Sequence, residues 1–443
     1  MNIKELYKLY QSHPVLTTDS RDCPPDSIFL ALKGASFNGN QFALTALEKG
    51  CAYAIVDEEL GTSSEPAANI IKVDDCLQTY KDLAREHRRQ FRIPVIAITG
   101  TNGKTTTKEL VRAVLAEKYR VLATEGNYNN DVGVPKTLFR LSADYDIAVV
   151  EMGASHPGDI KTLVETAEPT CGLITNVGRA HLQGFGSFEG VCQTKGELYD
   201  YLLGHHCPLF INHDNEFLMK MAVSRQPMSI SQNYYYGQSD ASDILVRGEI
   251  VACDPFLRFR WREQRDGQAS NWMEVRTHVI GAYNLDNMLA AITVGCVNGV
   301  TPDCINHALT NYVPTNNRSQ LTVTTHNRLV IDAYNANPTS MAAAIDNFRL
   351  MEVPHKMAIL GSMRELGDVS DEEHRQIVIQ LQQAGFDDVW LVGDEFARVQ
   401  PPFRTFDSVE DVKTFLQQTM PQDKTILIKG SNSTRLYELP EML

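Results

Sequence analysis

The chain reads as a three-domain α/β protein, and three features predict this. Short apolar runs of strand type alternate with helical stretches along the whole sequence, the pattern of parallel sheets covered by helices. A length of 443 residues admits two to four domains at about 100–200 residues each. The texture changes at a charged segment near 85–92 and again near 314, dividing the chain into 1–85, 86–313 and 314–443. The expected architecture is a central P-loop parallel-sheet domain with a β-rich insertion, flanked by a small N-terminal α/β domain and a C-terminal Rossmann-like domain.

In the first unit, 28–32, 53–56 and 70–73 read as strands, with helices over 41–49 and 75–90. In the middle unit, 94–98, 147–150, 172–175 and 209–211 are continuous apolar runs, typical of strands buried on both faces. Between 227 and 280 strict alternation takes over, as in Leu257-Arg258-Phe259-Arg260-Trp261-Arg262. That alternation predicts half-exposed antiparallel strands, with the arginines on a solvated face. In the third unit the strands are 329–331, 357–360, 389–392 and 426–428, with helices near 339–350, 371–384 and 408–418.

Bulk properties narrow the function classes. Hydrophobic residues make up 43% and charged residues 22%, so full cores can form. A net charge of -14 argues against nucleic acid or an anionic membrane as the main partner. It leaves room for an anionic small substrate, which a local basic site can hold. The nine cysteines form no C-x-x-C pair, which fits free thiols in a reducing cytosol. The start carries no signal-type apolar run, and no stretch approaches the ~20 apolar residues of a membrane span. A cytoplasmic monomer with no integral membrane segment is expected.

The segment Gly100-Thr101-Asn102-Gly103-Lys104-Thr105-Thr106 carries the most chemistry. It lies between the strand 94–98 and a helix predicted over 104–119, whose apolar face is Leu110, Val111, Val114 and Leu115. Glycines let backbone N–H groups approach an anion, and the helix N-terminus adds about half a positive charge. The lysine neutralises terminal phosphates, and the Thr105 hydroxyl can hold Mg²⁺. The spacing departs from G-x-x-x-x-G-K-[ST], which would need a glycine where Ile98 stands. Glu151 directly follows a strand predicted in the same sheet, a suitable place for a Mg²⁺ ligand. Asp146, at that strand's other end, reads as structural. His181 also follows a strand of this sheet, which raises the metal-ligand reading above that of an ordinary structural histidine. Lys195, taken alone, reads as a surface lysine.

These segments resemble the Mur ligase family of ATP-dependent amide ligases. The resemblance rests on 100–106, on Gly126-Asn127-Tyr128-Asn129-Asn130-Asp131-Val132-Gly133-Val134-Pro135, on Glu151-Met152-Gly153-Ala154-Ser155, on Asn176 to His181 and on Lys195-Gly196-Glu197. It implies a central ATPase domain using ATP and Mg²⁺, an N-terminal unit for a UDP-linked substrate, and a C-terminal domain that closes over the nucleotide. Further signatures, Asp332-Ala333-Tyr334-Asn335-Ala336-Asn337-Pro338-Thr339-Ser340-Met341 and Leu360-Gly361-Ser362-Met363-Arg364-Glu365-Leu366-Gly367, resemble the branch that joins D-alanyl-D-alanine to UDP-N-acetylmuramoyl-tripeptide.

By resemblance, Lys104, Lys195 and His181 are the catalytic set. Lys195 matches a lysine used in carbamylated form, and His181 matches a ligand of a second Mg²⁺. Asn284, Asn287, Arg318, Asp332 and Tyr334 match nucleotide contacts. Ser20 and Arg21, with Asp19, match the UDP-substrate unit, and Asn127 and Asn130 are further substrate contacts. The alternatives are another amide ligase of Mur or folylpolyglutamate type, or a nucleotide-binding scaffold without catalysis.

Overall fold

The computed structural model describes residues 1–60, 68–225, 233–265, 267–315, 318 and 320–443. Three parallel-rich sheets organise them, one per predicted unit. The first has four strands in the order Leu16–Thr17, Ile28–Leu30, Tyr53–Val56, Ile70–Lys72, all parallel. The helix Ile3–Ser12 packs on it through Leu6, Tyr7 and Tyr10, after a reciprocal cap between Asn2 and Glu5.

The helix Cys76–Arg89 joins the first unit to the second. Asp75 caps its start. Tyr80 and Leu83 enter the N-terminal core, whereas Ala84 enters the central one. The Arg88 guanidinium donates to the carbonyls of Ala167 and Glu168, and the His87 ring bonds the Leu141 carbonyl. The division we propose at 85 therefore falls inside a shared helix.

The central sheet has ten strands. From Val121–Ala123 through Ile147–Glu151, Val95–Thr99, Cys171–Ile174, Leu209–Asn212 and Tyr234–Gly237 to Ile244–Cys253 it is parallel. Beyond that, Phe256–Arg265 and Met273–Ile280 turn antiparallel. The β-rich stretch thus extends the edge of the same sheet. Strand Val95–Thr99 shows why the parallel runs are apolar throughout. Ile96 and Ile98 face a core with Leu110, Val114 and Leu289, and Val95 and Ala97 face one with Leu163 and Leu202.

The C-terminal sheet runs Gln320–Val323, Arg328–Asp332, Thr425–Lys429, Lys356–Gly361, Asp388–Val392, Arg404–Phe406, with only the first pair antiparallel. Its two edge strands and the helix Asp394–Arg398 are additions to the sequence reading. The helix Pro338–Leu350 starts with an Asn337 cap and Pro338 in its first turn. Among the described residues no helix is long and apolar enough to cross a membrane.

Candidate active site

The C-terminal ends of three adjacent parallel strands deliver Thr99, Glu151 and Ile174 to one edge of the central sheet. The predicted phosphate loop leaves from the middle strand. Gly100 has φ 143°, and a Cβ there would stand 2.0 Å from Thr175 Oγ1. Gly103 has φ 79°, and a Cβ would stand 2.6 Å from Asn287 Oδ1. Only glycine fits both places. The neighbouring strand's loop holds the turn: Asn176 O accepts Thr101 N–H at 2.9 Å, and Asn176 Oδ1 accepts Asn102 N–H at 3.0 Å. The helix Lys104–Ala116 then begins with no side-chain cap, which leaves its N–H groups and dipole directed at an anion.

Lys104 Nζ lies over this loop, donating to Gly100 O at 2.8 Å and Thr101 O at 3.0 Å. Burial pulls its pKa down to about 8, with Glu151 opposing and Arg318 adding to the fall. Glu151 is 1% exposed. Its Oε1 accepts from Thr105 Oγ1 at 3.1 Å and from Asn129 Nδ2 at 2.8 Å, and its Oε2 has no partner among the described residues. A buried carboxylate oxygen without a donor, beside a threonine hydroxyl and a phosphate loop, fits a Mg²⁺ ion held by few protein ligands together with phosphate oxygens. Among the described residues no group of three or more His, Cys, Asp or Glu could hold a metal alone.

Lys195 corrects the surface reading, being 2% exposed on the helix Phe188–Gly204. Its ammonium lies 5.5 Å from the centre of the Phe185 ring. Burial, and then the charge of Lys104, push its pKa well below that of an ordinary lysine. His181 sits at the start of the short helix Leu182–Phe185 with φ 51°, and its Nδ1 meets the Glu365 carboxylate of the C-terminal domain.

A cavity of about 940 Å³ joins Lys104, Thr105, Glu151 and His181, whereas Lys195 is not among its lining residues. Thr101, Asn102, Gly103, Lys104, Thr105, Thr106, Glu151 and His181 line it from the central domain, with Asn127, Asn130, Asn284 and Asn287. Arg318, Asp332 and Tyr334 line the opposite wall. Arg318 stacks 3.9 Å from the Tyr334 ring centre, and Lys429 holds Asp332 at 2.6 Å. Asn316 and Asn317, which precede that arginine, lie outside the described residues. Asn287 donates through Nδ2 to Asn284 Oδ1 at 2.8 Å, and its Oδ1 accepts from Thr107 Oγ1 at 3.0 Å, so this pair also fixes the loop helix. Asn130 spends its Oδ1 on Gly133 N–H at 2.8 Å, the start of the helix Gly133–Leu138.

Ser20 and Arg21 are not among the cavity-lining residues. Arg21 is exposed and grips Asp19 at 2.7 Å, holding that carboxyl well below the usual carboxylate range. Residues that the sequence reading missed include Asn129, Asn176 and Asn337. Asn337 Nδ2 donates to Asn102 Oδ1 at 2.7 Å across the domain boundary. All three stand within the family-like segments 126–135, 176–181 and 332–341, which was the sequence signal for them.

Three family models match the chain: Mur ligase family, catalytic domain over 14–88, Mur ligase middle domain over 98–295, and Mur ligase, glutamate ligase domain over 317–432. Curated UDP-N-acetylmuramoyl-tripeptide–D-alanyl-D-alanine ligases are similar over nearly the full length. The protein from Synechocystis is 32% identical, covering 95% of this chain and 90% of its own. The one from Escherichia coli is 32% identical, covering 97% and 93%. Among solved structures, MurF from Acinetobacter baumannii superposes with TM-score 0.85 at 28% identity, covering 98% of this chain and 97% of its own. MurF ligase from Thermotoga maritima in complex with ADP gives 0.85 at 26% identity, covering 97% and 96%.

Proposed function

The chain belongs to the Mur ligase family, and from that premise we propose the following reaction and residue roles. The protein is an ATP-dependent ligase that joins D-alanyl-D-alanine to UDP-N-acetylmuramoyl-tripeptide, in peptidoglycan precursor synthesis. It works as a cytoplasmic monomer.

In the first step the γ-phosphoryl group passes to the tripeptide's terminal carboxylate, giving an acyl phosphate and ADP. In the second, the dipeptide's amine attacks the acyl carbon, an amide forms, and inorganic phosphate leaves. Bringing a carboxylate to a triphosphate sets two anions together, so fixed positive charge dominates the barrier. Lys104 and the N–H groups of the loop and the helix start supply that charge. Thr105 and Glu151 would hold Mg²⁺, which screens the phosphates when bound. His181 would hold a second ion. Asn284 and Asn287 orient the nucleotide, Arg318 and Tyr334 cover it, and Asp332 accepts from its sugar. Asn127 and Asn130 face the acyl substrate, and Ser20 and Arg21 belong to the UDP end.

Burial gives Lys195 a distinct role. A desolvated lysine loses its proton readily, and a neutral amine can add CO₂ to form a carbamate. The added group converts a cation near the metal sites into an anion that supports them. The observation that carries the overall reading is the unpartnered Glu151 Oε2 beside Thr105 and Lys104.

The test is phosphate release with ATP, Mg²⁺ and UDP-N-acetylmuramoyl-tripeptide. Release should require D-alanyl-D-alanine and fall far below that level with a single amino acid. Preference for glutamate or a diamino acid would move the chain to another branch, and no release with any acceptor would make it a scaffold.

A further inference from the structure

The loop Gly178 to Gln183 is held from the C-terminal domain at three points. Arg179 pairs with Glu373 at 2.7 Å, and its N–H donates to Thr339 Oγ1 at 3.2 Å. Gln183 N–H donates to the carbonyl of Glu365 at 3.3 Å. At the centre of this contact the Glu365 side chain meets His181 Nδ1. An ionised carboxylate only accepts, so the Nδ1 nitrogen must carry the proton. In the neutral ring that leaves the lone pair on Nε2. His181 lines the active-site cavity, whereas Glu365 is not among its lining residues.

Backbone conformation marks the same two residues. His181 has φ 51° and Glu365 has φ 63°. Both stand in the left-handed region that a non-glycine residue occupies only when its surroundings hold it there. Glu365 is also exposed over more than half of its side chain. Core packing therefore does not account for a glutamate at this position.

We propose that Glu365 is a positioning residue: from the closing C-terminal domain it fixes the ring and tautomer of His181, so that Nε2 is presented to the metal only when the two domains meet. The proposal rests on the reading of His181 as a metal ligand. Carboxylates that orient a ligating histidine raise its basicity and set its direction, and their loss weakens metal binding. Here the partner sits 184 residues away in sequence and on another domain. The arrangement couples domain approach to completion of the metal site.

The experiment measures Mn²⁺ affinity of the full chain by electron paramagnetic resonance, with a non-hydrolysable ATP analogue bound. Glu365→Ala should weaken the His181-dependent Mn²⁺ site by about ten- to a hundredfold. Glu365→Gln, which keeps an acceptor for Nδ1–H, should recover most of that loss. Glu365→Gly suits the left-handed backbone but has no carboxylate, so it should bind Mn²⁺ as weakly as Glu365→Ala while unfolding at the same or a higher temperature. Combining Glu365→Ala with His181→Ala should add nothing to His181→Ala alone. Wild-type Mn²⁺ affinity in Glu365→Gly, or additive losses in the double variant, would overturn the proposal and leave His181 as a ligand. Unchanged affinity in His181→Ala itself would remove the underlying metal reading, and the proposal with it.

Discussion

On the central wall of the cleft, the phosphate-loop groups are fixed within their own domain. Lys104 is bound by loop carbonyls, Thr105 by Glu151, and Glu151 by Asn129. On the C-terminal wall, Arg318 and Tyr334 stack on each other, and Asp332 is tied to Lys429. Other residues of the C-terminal domain bridge to the central one: Asn337 with Asn102, Glu373 with Arg179, and Glu365 with His181. The phosphate-loop part of the first wall is held without the C-terminal domain, whereas His181 and the second wall depend on contact between the domains. Central substitutions should therefore act mainly on kcat, and C-terminal ones on nucleotide affinity.

Lys104→Ala should give the largest effect. Removing a preorganised cation aimed at transferring phosphate should cut ADP formation by about 10³-fold, or roughly 4 kcal/mol. Thermal unfolding should change little, because the lysine's bonds are confined to the loop. Near-normal turnover would break the assignment of the central wall.

Lys195→Ala sharpens the same wall, with an expected loss of about 10²-fold in kcat. Added formate or acetate should restore part of the rate, since a small carboxylate can occupy the vacated space and supply the missing negative charge. A surface lysine would show neither effect. Loss without rescue would keep the residue important and count against the carbamate.

What the sequence made legible divides along the same line. The phosphate loop was readable because its chemistry is contiguous: strand, two glycines, Lys104, Thr105 and helix follow one another within a few residues. Glu151 was readable because it directly ends an apolar strand. The burial of Lys195 was not, because nothing in Thr194-Lys195-Gly196 announces that its side chain is buried beside the Phe185 ring. Contacts across domains were equally hidden, since Asn102 and Asn337 stand 235 residues apart. The edge strands Gln320–Val323 and Arg404–Phe406 have 4 and 3 residues, too short for a periodic signal.

Arg318→Ala tests the C-terminal wall. Its guanidinium is stacked on Tyr334 beside the cavity, an arrangement worth about 1 kcal/mol in the open and more when desolvated. KM for ATP should rise about tenfold, equivalent to ~1.4 kcal/mol. The value of kcat at saturating ATP should stay within about threefold. A fall in kcat comparable to that of Lys104→Ala would erase the proposed difference between the walls.

The smallest expected effect concerns the base of the central wall and reads out in stability. Asp286, in the first turn of the helix Asn284–Val297, has its pKa raised from 3.8 to about 6, first by burial and then by the charge of Asp214, against hydrogen bonds from Asn212 and Gln238. Below about pH 4 the carboxyl is protonated in both folded and unfolded chains, and it makes no difference. Between pH 4 and 6 the unfolded chain releases this proton while the folded chain retains it. Stability must then fall as pH rises through that window, and the loss is complete above it. Full desolvation would make the difference worth about 3 kcal/mol, and partial exposure reduces it to about 1. Asp286→Asn keeps an oxygen acceptor and removes the titration. Its unfolding temperature should match that of the unaltered protein at pH 4 and exceed it by about one degree at pH 8, consistent with about 1 kcal/mol spread over a chain of this size. An equal shift at both pH values would assign the effect to packing and not to charge. A lower unfolding temperature at pH 8 would mean that the ionised carboxylate, bonded to Asn212 and Gln238, stabilises the site's base.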